Sequence, residues 1–476
     1  MPMKIKKKLL SGLAAFLAVL VLPIGVAAAF SASLLDDPVY SLQENGLTYL
    51  EQEFSEGGNQ KLFYGAYNAN SADAEYEWVI HSIRDGTETT LSTVMDIALD
   101  YEQKTGKKVM LATNGDYFYT TGANVESYVS DGVVISKGTF AHKHCIGFDN
   151  AGKVVVGRMT EVEKRLLVVL DGEKTFFHID QINQEPGENE IAIYTNPGTY
   201  TISGAGKYIC ATNSSNLGQY PVFGTSRRMT TGTVENDDAF TLRSGQFAVV
   251  VKGENAQFFF DNIQYGVEVD LVEIPAGDFA GCSWVLGGYD ILVDDGAVNT
   301  NCHADNGGDG KAPRTFIGFK EDGTAFLCVV DGRQSGYSLG VTVNQEAELA
   351  KVLGAQYALE LDGGGSSTML VRIDDTLTLR NKPSDGSMRR VSNAVLLVEK
   401  DKPEQEPDTP PATEPAPEPT TPPATKPGTI PSSGVPAPGE AENNGDLVVI
   451  IAVAAGVAVL VVVLAVCIGK KRKCAQ

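Results

Sequence analysis

Four short polar clusters each follow an apolar strand-like stretch of the sequence: "NGDYF" from Asn114, "APRTFIG" from Ala312, "VVDGRQ" from Val329 and "LDGGGSS" from Leu361. They carry carboxylates (Asp116, Asp331, Asp362), arginines (Arg314, Arg333) and small polar groups (Asn114, Thr315, Ser366, Ser367). Planar guanidinium forks match the oxygens of an anion such as phosphate, and a carboxylate beside them can serve as base or nucleophile. The fourth cluster is the richest. Ala358, Leu359 and Leu361 read as a buried strand, and Gly363, Gly364 and Gly365 then permit backbone angles that side chains forbid. Successive N–H groups there would cradle an anion, and Asp362 beside them would repel it unless that carboxylate takes part in the chemistry. The plainer reading is a tight turn capped by an aspartate. Glu360 stands two residues before Asp362, so an unbroken strand would present both carboxyls on one side, one raising the pKa of the other.

The elements that must position these clusters are mostly short strands separated by turn residues: "YEWVIHSI", "VMLATN", "DGVVISKG", "IGFDNAGKVVVG", "RLLVVLDGEKTFFHI", "QFAVVVKG" and "NAVLLVEK". Two helices interrupt them. "LSTVMDIALDYEQKTGKK" carries a helical pattern that stops at Gly106. "TVNQEAELAKVLGA" is amphipathic, with Val343, Ala347, Ala350 and Leu353 on one side and Gly354 as its stop. The expected fold class is α+β, with mixed or antiparallel sheets packed around a few helices.

The chain's ends are not globular. Residues 1–32 combine four lysines, an apolar run and small residues near Ala27–Ala29, the layout of a signal peptide. Residues 401–446 are a Pro/Thr/Glu-rich linker, 447–469 an apolar run long enough to span a bilayer, and 470–476 a basic tail. Between them lie 33–105, either an N-terminal lobe or the first part of a catalytic domain, and 106–400, which holds the four clusters. The expected location is a Gram-positive-type cell surface: a single-pass protein of the cell membrane, anchored by one C-terminal helix, with its catalytic domain extracellular.

The formal net charge is −22, and eight of the 38 basic residues lie in the two terminal segments, leaving 30 against 60 acidic residues, about −30. Such a surface argues against nucleic acid as a partner, because phosphate neutralisation drives that binding. Any phosphate ligand must be held by a local basic pocket. Of seven cysteines, Cys145, Cys210, Cys282, Cys302 and Cys328 fall outside the anchor and tail, and Cys282 with Cys302 is the first pair to test as a disulfide. No cofactor is predicted and no metal ligand is assigned. "HKHC" from His142 has no second ligand cluster, while "DDG" at Asp294 and "HADNGGDG" at His303 lack the regular spacing of a calcium loop, so a divalent cation such as calcium is the furthest these stretches reach. The pairs Arg227–Arg228 and Arg389–Arg390 would either line a pocket or form surface ion pairs.

Taken in order, "NGDYF", "PRTFIG", "DGR", a helix, "LDGGGSST" and "RRVSNA" resemble the blocks of the phosphodiester glycosidase family, from about Val109 to Glu399 and most strongly between Pro313 and Thr368. The resemblance implies hydrolysis of a sugar joined through its anomeric carbon to a phosphodiester, in a wall polymer, capsule or host glycan. For the carboxylate that such chemistry needs, Asp362 is the first catalytic candidate and Asp116 the second, with Glu360 as a carboxylate partner of Asp362. Asn114, Arg314, Thr315, Asp331, Arg333, Gly363, Gly364, Gly365, Ser366 and Ser367 would bind substrate and phosphate, with Asp331 orienting an arginine. Such cleavage leaves a phosphate monoester, already a stable anion, so the main demands are charge stabilisation on the phosphate and a carboxylate near the developing oxocarbenium ion. Asp116 inside "NGDYF", and Lys311 and Ala312 before "PRT", depart from the family pattern. Two rival readings are a phosphodiesterase cutting the phosphorus–oxygen bond, against which the five histidines count, and a non-catalytic module binding anionic glycans.

Overall fold

The computed structural model describes residues 30–401 except 57, 86, 139–143, 205, 215–222, 224–228, 236–237 and 303–309. Residues 1–29 of the expected signal peptide and 402–476, the rest of the expected linker, the apolar run and the basic tail, lie outside the described residues, as do His142, Arg227, Arg228 and His303; Phe30, inside the expected signal peptide, is buried against Phe54. Among the described residues no helix is long and apolar enough to cross a membrane.

The described chain is mostly β-sheet with three helices, α1 (Val94–Thr105), α2 (Glu254–Asn262) and α3 (Val343–Val352). Two sheets carry the site. The first has eight strands in the order Tyr40–Glu44, Leu47–Phe54, Gln60–Tyr67, Ala325–Val330, Arg314–Phe319, Tyr357–Glu360, Ile291–Asp294 and Ala297–Val298. The second has five: Thr376–Leu379, Met369–Ile373, Val109–Asn114, Ala394–Glu399 and Tyr76–His81. Residues 40–81 therefore supply strands to the same two sheets as the polar clusters.

Side-chain alternation decides what each face buries. Ile317, Leu327, Val329 and Leu359 turn to one side of the first sheet and share a core with Leu111, Leu370, Val395 and Leu397 of the second. Their neighbours Phe316, Phe326, Cys328, Val330 and Ala358 turn the other way and meet Val343, Ala347 and Ala350 of α3. Both faces of the first sheet are thus covered, which explains its near-continuous apolar strands.

The two expected helices form where the sequence places them. Each opens on a capping box, Thr93 with Asp96 and Thr342 with Gln345, satisfying two orphan backbone donors. The helix α2 has no such signal: its N-cap is Gly253, with no side-chain hydrogen bond, and the sequence reading passes over it. It packs on a further eight-stranded sheet with its own core, containing Leu166, Tyr208, Val249 and Phe259. That sheet holds the one parallel pair among the described strands, Gln181–Ile182 with Ile191–Tyr194. The expected Cys282–Cys302 bridge is not formed. All five described cysteines are free and buried, and these two sit in different apolar clusters.

Candidate active site

The four clusters meet because the strands that precede or follow them, all interior to their sheets, end on the same side of the two facing sheets. Arg314 opens its strand and Glu360 closes the neighbouring one, with Phe316 paired directly opposite Glu360. Asn114 closes Val109–Asn114 in the second sheet and sews the two together. Its amide donates to the Asp362 carbonyl at 2.6 Å, and its Oδ1 accepts from the Thr315 hydroxyl at 3.3 Å and the Thr368 N–H at 3.2 Å. The Thr315 hydroxyl also lies 3.0 Å from that of Ser367. Asn114, Thr315 and Ser367 are fully buried, so this network fixes the backbone that carries Asp362 and does not itself line a cavity.

Above the network opens a cleft of about 430 Å³, with Asp362, Gly363 and Gly364 on one side and Lys311, Arg314, Arg333 and Arg389 around it. Asp362 is drawn up to about 6, chiefly by burial, against the opposing pull of the Ser366 hydroxyl, the Arg389 charge and the Gly363 backbone. Arg389 is held by Asp385, with Nε and one terminal nitrogen 2.9 and 2.7 Å from Oδ2, and its other terminal nitrogen donates to Ser366 at 3.3 Å. Its neighbour Arg390 is exposed and does not line the cleft.

The glycine triplet serves the site differently from the expected anion cradle. The Gly363 N–H serves the Asp362 carboxyl, and the Gly364 N–H donates to the Pro313 carbonyl at 2.9 Å. What the triplet supplies is closeness. Gly364 has φ +66°, and a Cβ there would stand 3.0 Å from the Arg333 guanidinium; one on Gly365 would run into Asp385 and Arg389. Both guanidinium groups can lie against the loop only because it lacks side chains.

Three other expectations are redrawn. Asp331 orients no arginine among the described residues: its carboxylate accepts from Lys382 N–H at 2.8 Å, Asn381 Nδ2 at 2.9 Å and Tyr337 OH at 3.1 Å. Arg314 lines the cleft but is already engaged, donating through Nε to Val341 O at 3.2 Å, and through its terminal nitrogens to Glu360 at 3.1 Å and Gly310 O at 3.0 Å. That leaves two of its five N–H groups for a ligand. Asp116 does not line the cleft: its Oδ2 accepts from Glu126 N–H at 3.2 Å, and burial pushes its carboxyl well up.

Glu360 does have a carboxyl neighbour, but it is Glu346 rather than Asp362. The strand ends at Glu360, on the face that meets α3, whereas Asp362 lies in the following turn with its N–H on the Gly115 carbonyl at 3.0 Å. Glu346, from the first turn of α3, is fully buried and 4.0 Å from Arg314 Nε. Tyr117, which lines the cleft, donates its hydroxyl to Glu360 at 3.3 Å, and burial with the surrounding carboxylates pushes its phenol well up. Sequence reading missed Tyr117 and Glu346. Glu346 falls three residues after Val343 and one before Ala347, on the buried stripe of α3, and a charged residue on such a stripe is the signal that marks it. Among the described residues no group of three or more His, Cys, Asp or Glu could hold a metal ion.

One strand-borne arginine, Arg314, and two from loops, Arg333 and Arg389, surround a glycine loop with a raised carboxyl, which defines the class: a β-rich protein with an acidic group set in a cleft lined by cations. Residues 198–398 match the family model described as phosphodiester glycosidase, the family that the sequence motifs resemble. No curated protein matches the chain. Similar solved structures include a hypothetical protein from Synechocystis, at 17% identity and TM-score 0.46, covering 76% of this chain and 64% of that one. An exported-protein structure from Burkholderia pseudomallei has 16% identity and TM-score 0.38, covering 71% and 74% of the two chains. The zebrafish N-acetylglucosamine-1-phosphodiester alpha-N-acetylglucosaminidase catalytic domain, auto-inhibited by its pro-peptide, has 14% identity and TM-score 0.36, with coverage of 76% and 86%. The chain thus spans less than two thirds of the Synechocystis protein's length.

Proposed function

We propose that this protein is a hydrolase that cleaves the bond between the anomeric carbon and the phosphate oxygen of a glycosyl-1-phosphate diester, the sugar resembling N-acetylglucosamine. The observation that carries the reading is one carboxyl, Asp362, drawn up to about 6 on the wall of a cleft whose other walls bring Arg333 and Arg389. The match of residues 198–398 to phosphodiester glycosidases supports it. Arg333, Arg389 and Lys311 bind the phosphate and stabilise the monoester as it leaves, which needs little protonation. Asp362, ionised, faces the anomeric carbon, either bonding to it or taking a proton from the attacking water. Gly364 and Gly365 leave room for Arg333 and Arg389 to lie against the loop beside that phosphate, while Asn114, Thr315 and Ser367 hold the loop still. The substrate belongs to a cell-surface polymer or host glycan, reached by a domain held outside the membrane on the residue 401–446 stalk.

The test is product analysis on a panel of α-linked glycosyl-1-phosphate diesters, with the intact protein and its Asp362→Asn and Arg333→Ala variants. Free sugar plus phosphate monoester, lost in Asp362→Asn, is the expected result. Sugar phosphate with a free alcohol would mean cleavage at phosphorus, and glycan binding with no turnover in any form would mean a recognition module.

A further inference from the structure

Beneath the cleft wall lies a buried acid that the proposed reaction does not use. Glu346 has no exposed surface, and among the described residues neither of its carboxyl oxygens has a hydrogen-bond partner. Among the described residues its cationic neighbour is Arg314, with Nε 4.0 Å from Oε2, and that arginine already donates to Glu360 at 3.1 Å. One guanidinium thus faces two buried carboxyls. If both were ionised, the trio would carry a net negative charge in a medium that solvates it poorly, and Glu346 would lack any donor to compensate. Burial first, and then the charge of Glu360, push the Glu346 carboxyl well above its ordinary range; Arg314 pulls the other way and Asp290 adds to the rise. Tyr117, Cys302 and Cys328 also feel its charge, and none of them is a cation.

The trio reaches the cleft through two of its walls. Arg314 lines it directly, and Tyr117 lines it with a hydroxyl anchored on Glu360. We propose that Glu346 is a positioning residue of this cleft: as a neutral acid beneath Arg314 it keeps the Arg314–Glu360 pair electrically balanced, and so sets the upper pH limit for anion binding. With Glu346 neutral, the trio adds no net charge beside the bound anion. Once it ionises, the trio turns negative under the anion and competes for Arg314. The proposal rests on the reading that the cleft takes an anion.

Two measurements on the intact protein and its Glu346→Gln variant test it, glutamine being a close stand-in for the neutral acid. At about pH 8, where Asp362 is ionised, infrared difference spectra should show a protonated-carboxyl band in the wild type that the variant lacks. Sulfate, charged throughout, serves as the binding probe. As Asp362 ionises near 6, both proteins should lose affinity alike. At higher pH the wild type alone should lose more, by up to about tenfold per pH unit for one linked proton, while Glu346→Gln holds its affinity. Absence of the band, or identical alkaline limbs in the two proteins, overturns the proposal. A band with no sulfate binding to either protein at any pH would defeat the anion-cleft reading, and the pH limit with it, while leaving Glu346 neutral.

Discussion

Asp331 and Asp362 follow apolar strands of the same sheet, each precedes a glycine, and burial draws both carboxyls up. Their surroundings differ in who spends hydrogen bonds on them. Asp331 is sealed, with an amide side chain, a backbone N–H and a phenol directed at it. Asn381 then bridges from Asp331 to the Ser367 carbonyl at 2.9 Å, so the first aspartate braces the loop that carries the second. Asp362 instead opens onto the cleft, facing arginines that a substrate anion would share. A strand-end "DG" is therefore a bracket in one place and a candidate reacting group in the other, and the neighbouring loop decides which.

The largest effect that would break this comparison is on turnover. Asp362→Asn should cut kcat by about 10³-fold if the carboxylate acts on the substrate. Its stability should move the other way. A carboxyl whose folded pKa is raised to about 6 contributes stability that is complete below its unfolded value of about 4 and is lost as pH rises through about 6. At pH 7 the variant should therefore unfold at least as hard as the wild type, as denaturant titrations would show. A kcat within a few-fold of wild type would remove Asp362 from the chemistry.

Asp331→Ala should do the converse. It strands the Tyr337, Asn381 and Lys382 donors in a buried site, at a cost of about 3 kcal/mol. The surviving folded molecules should keep most of their turnover. Calorimetry together with activity per folded molecule separates the two, and a variant that stays fully stable but loses turnover would give Asp331 a direct part in the reaction.

Arg389 offers a finer test. Its charge holds Asp362 below where burial alone would leave it. In the wild type kcat/KM should rise with pH through about 6 as the carboxylate forms. In Arg389→Ala that limb should move to higher pH and KM should increase by about tenfold as a phosphate contact is lost. An unmoved limb in the pH–rate profile would mean that some other group governs it.

How much of this was legible in the sequence depends on whether the signal was local. The boundaries of α1 and α3 follow from capping residues and from Gly106 and Gly354, all close along the chain. The convergence of the polar clusters could be inferred from their repeated position beside strands. The partners of those clusters could not, because they depend on which strands pair and on which face of the sheet each residue falls. Glu360 meets Glu346 across a strand–helix contact, and Arg314 spends its N–H groups on the Val341 and Gly310 carbonyls, which no spacing rule announces. The glycines misled for a related reason: they read as a cradle of donors, but at least two of the N–H groups are taken inside the protein, and what matters is the space the glycines leave.

That last point has its own test, with the smallest expected effect. Gly364 sits at φ +66°, a region where an alanine costs about 1–2 kcal/mol, and its Cβ would come within 3.0 Å of the Arg333 guanidinium. Arg333 is exposed, and although its backbone is held at φ +59° with its N–H on the Leu339 carbonyl at 3.2 Å, its guanidinium can yield by the few tenths of an ångström required. That displacement moves the guanidinium off the loop, and a cleft that depends on its close approach should lose a few-fold in affinity for sulfate beyond what the modest loss of stability explains. Gly386→Ala is the control: it too has a left-handed φ, +82°, but nothing stands within 4 Å of its would-be Cβ. It should cost similar stability with sulfate affinity unchanged. If the two alanine variants lose affinity equally, the triplet is a turn like any other and the close approach of Arg333 is incidental to binding.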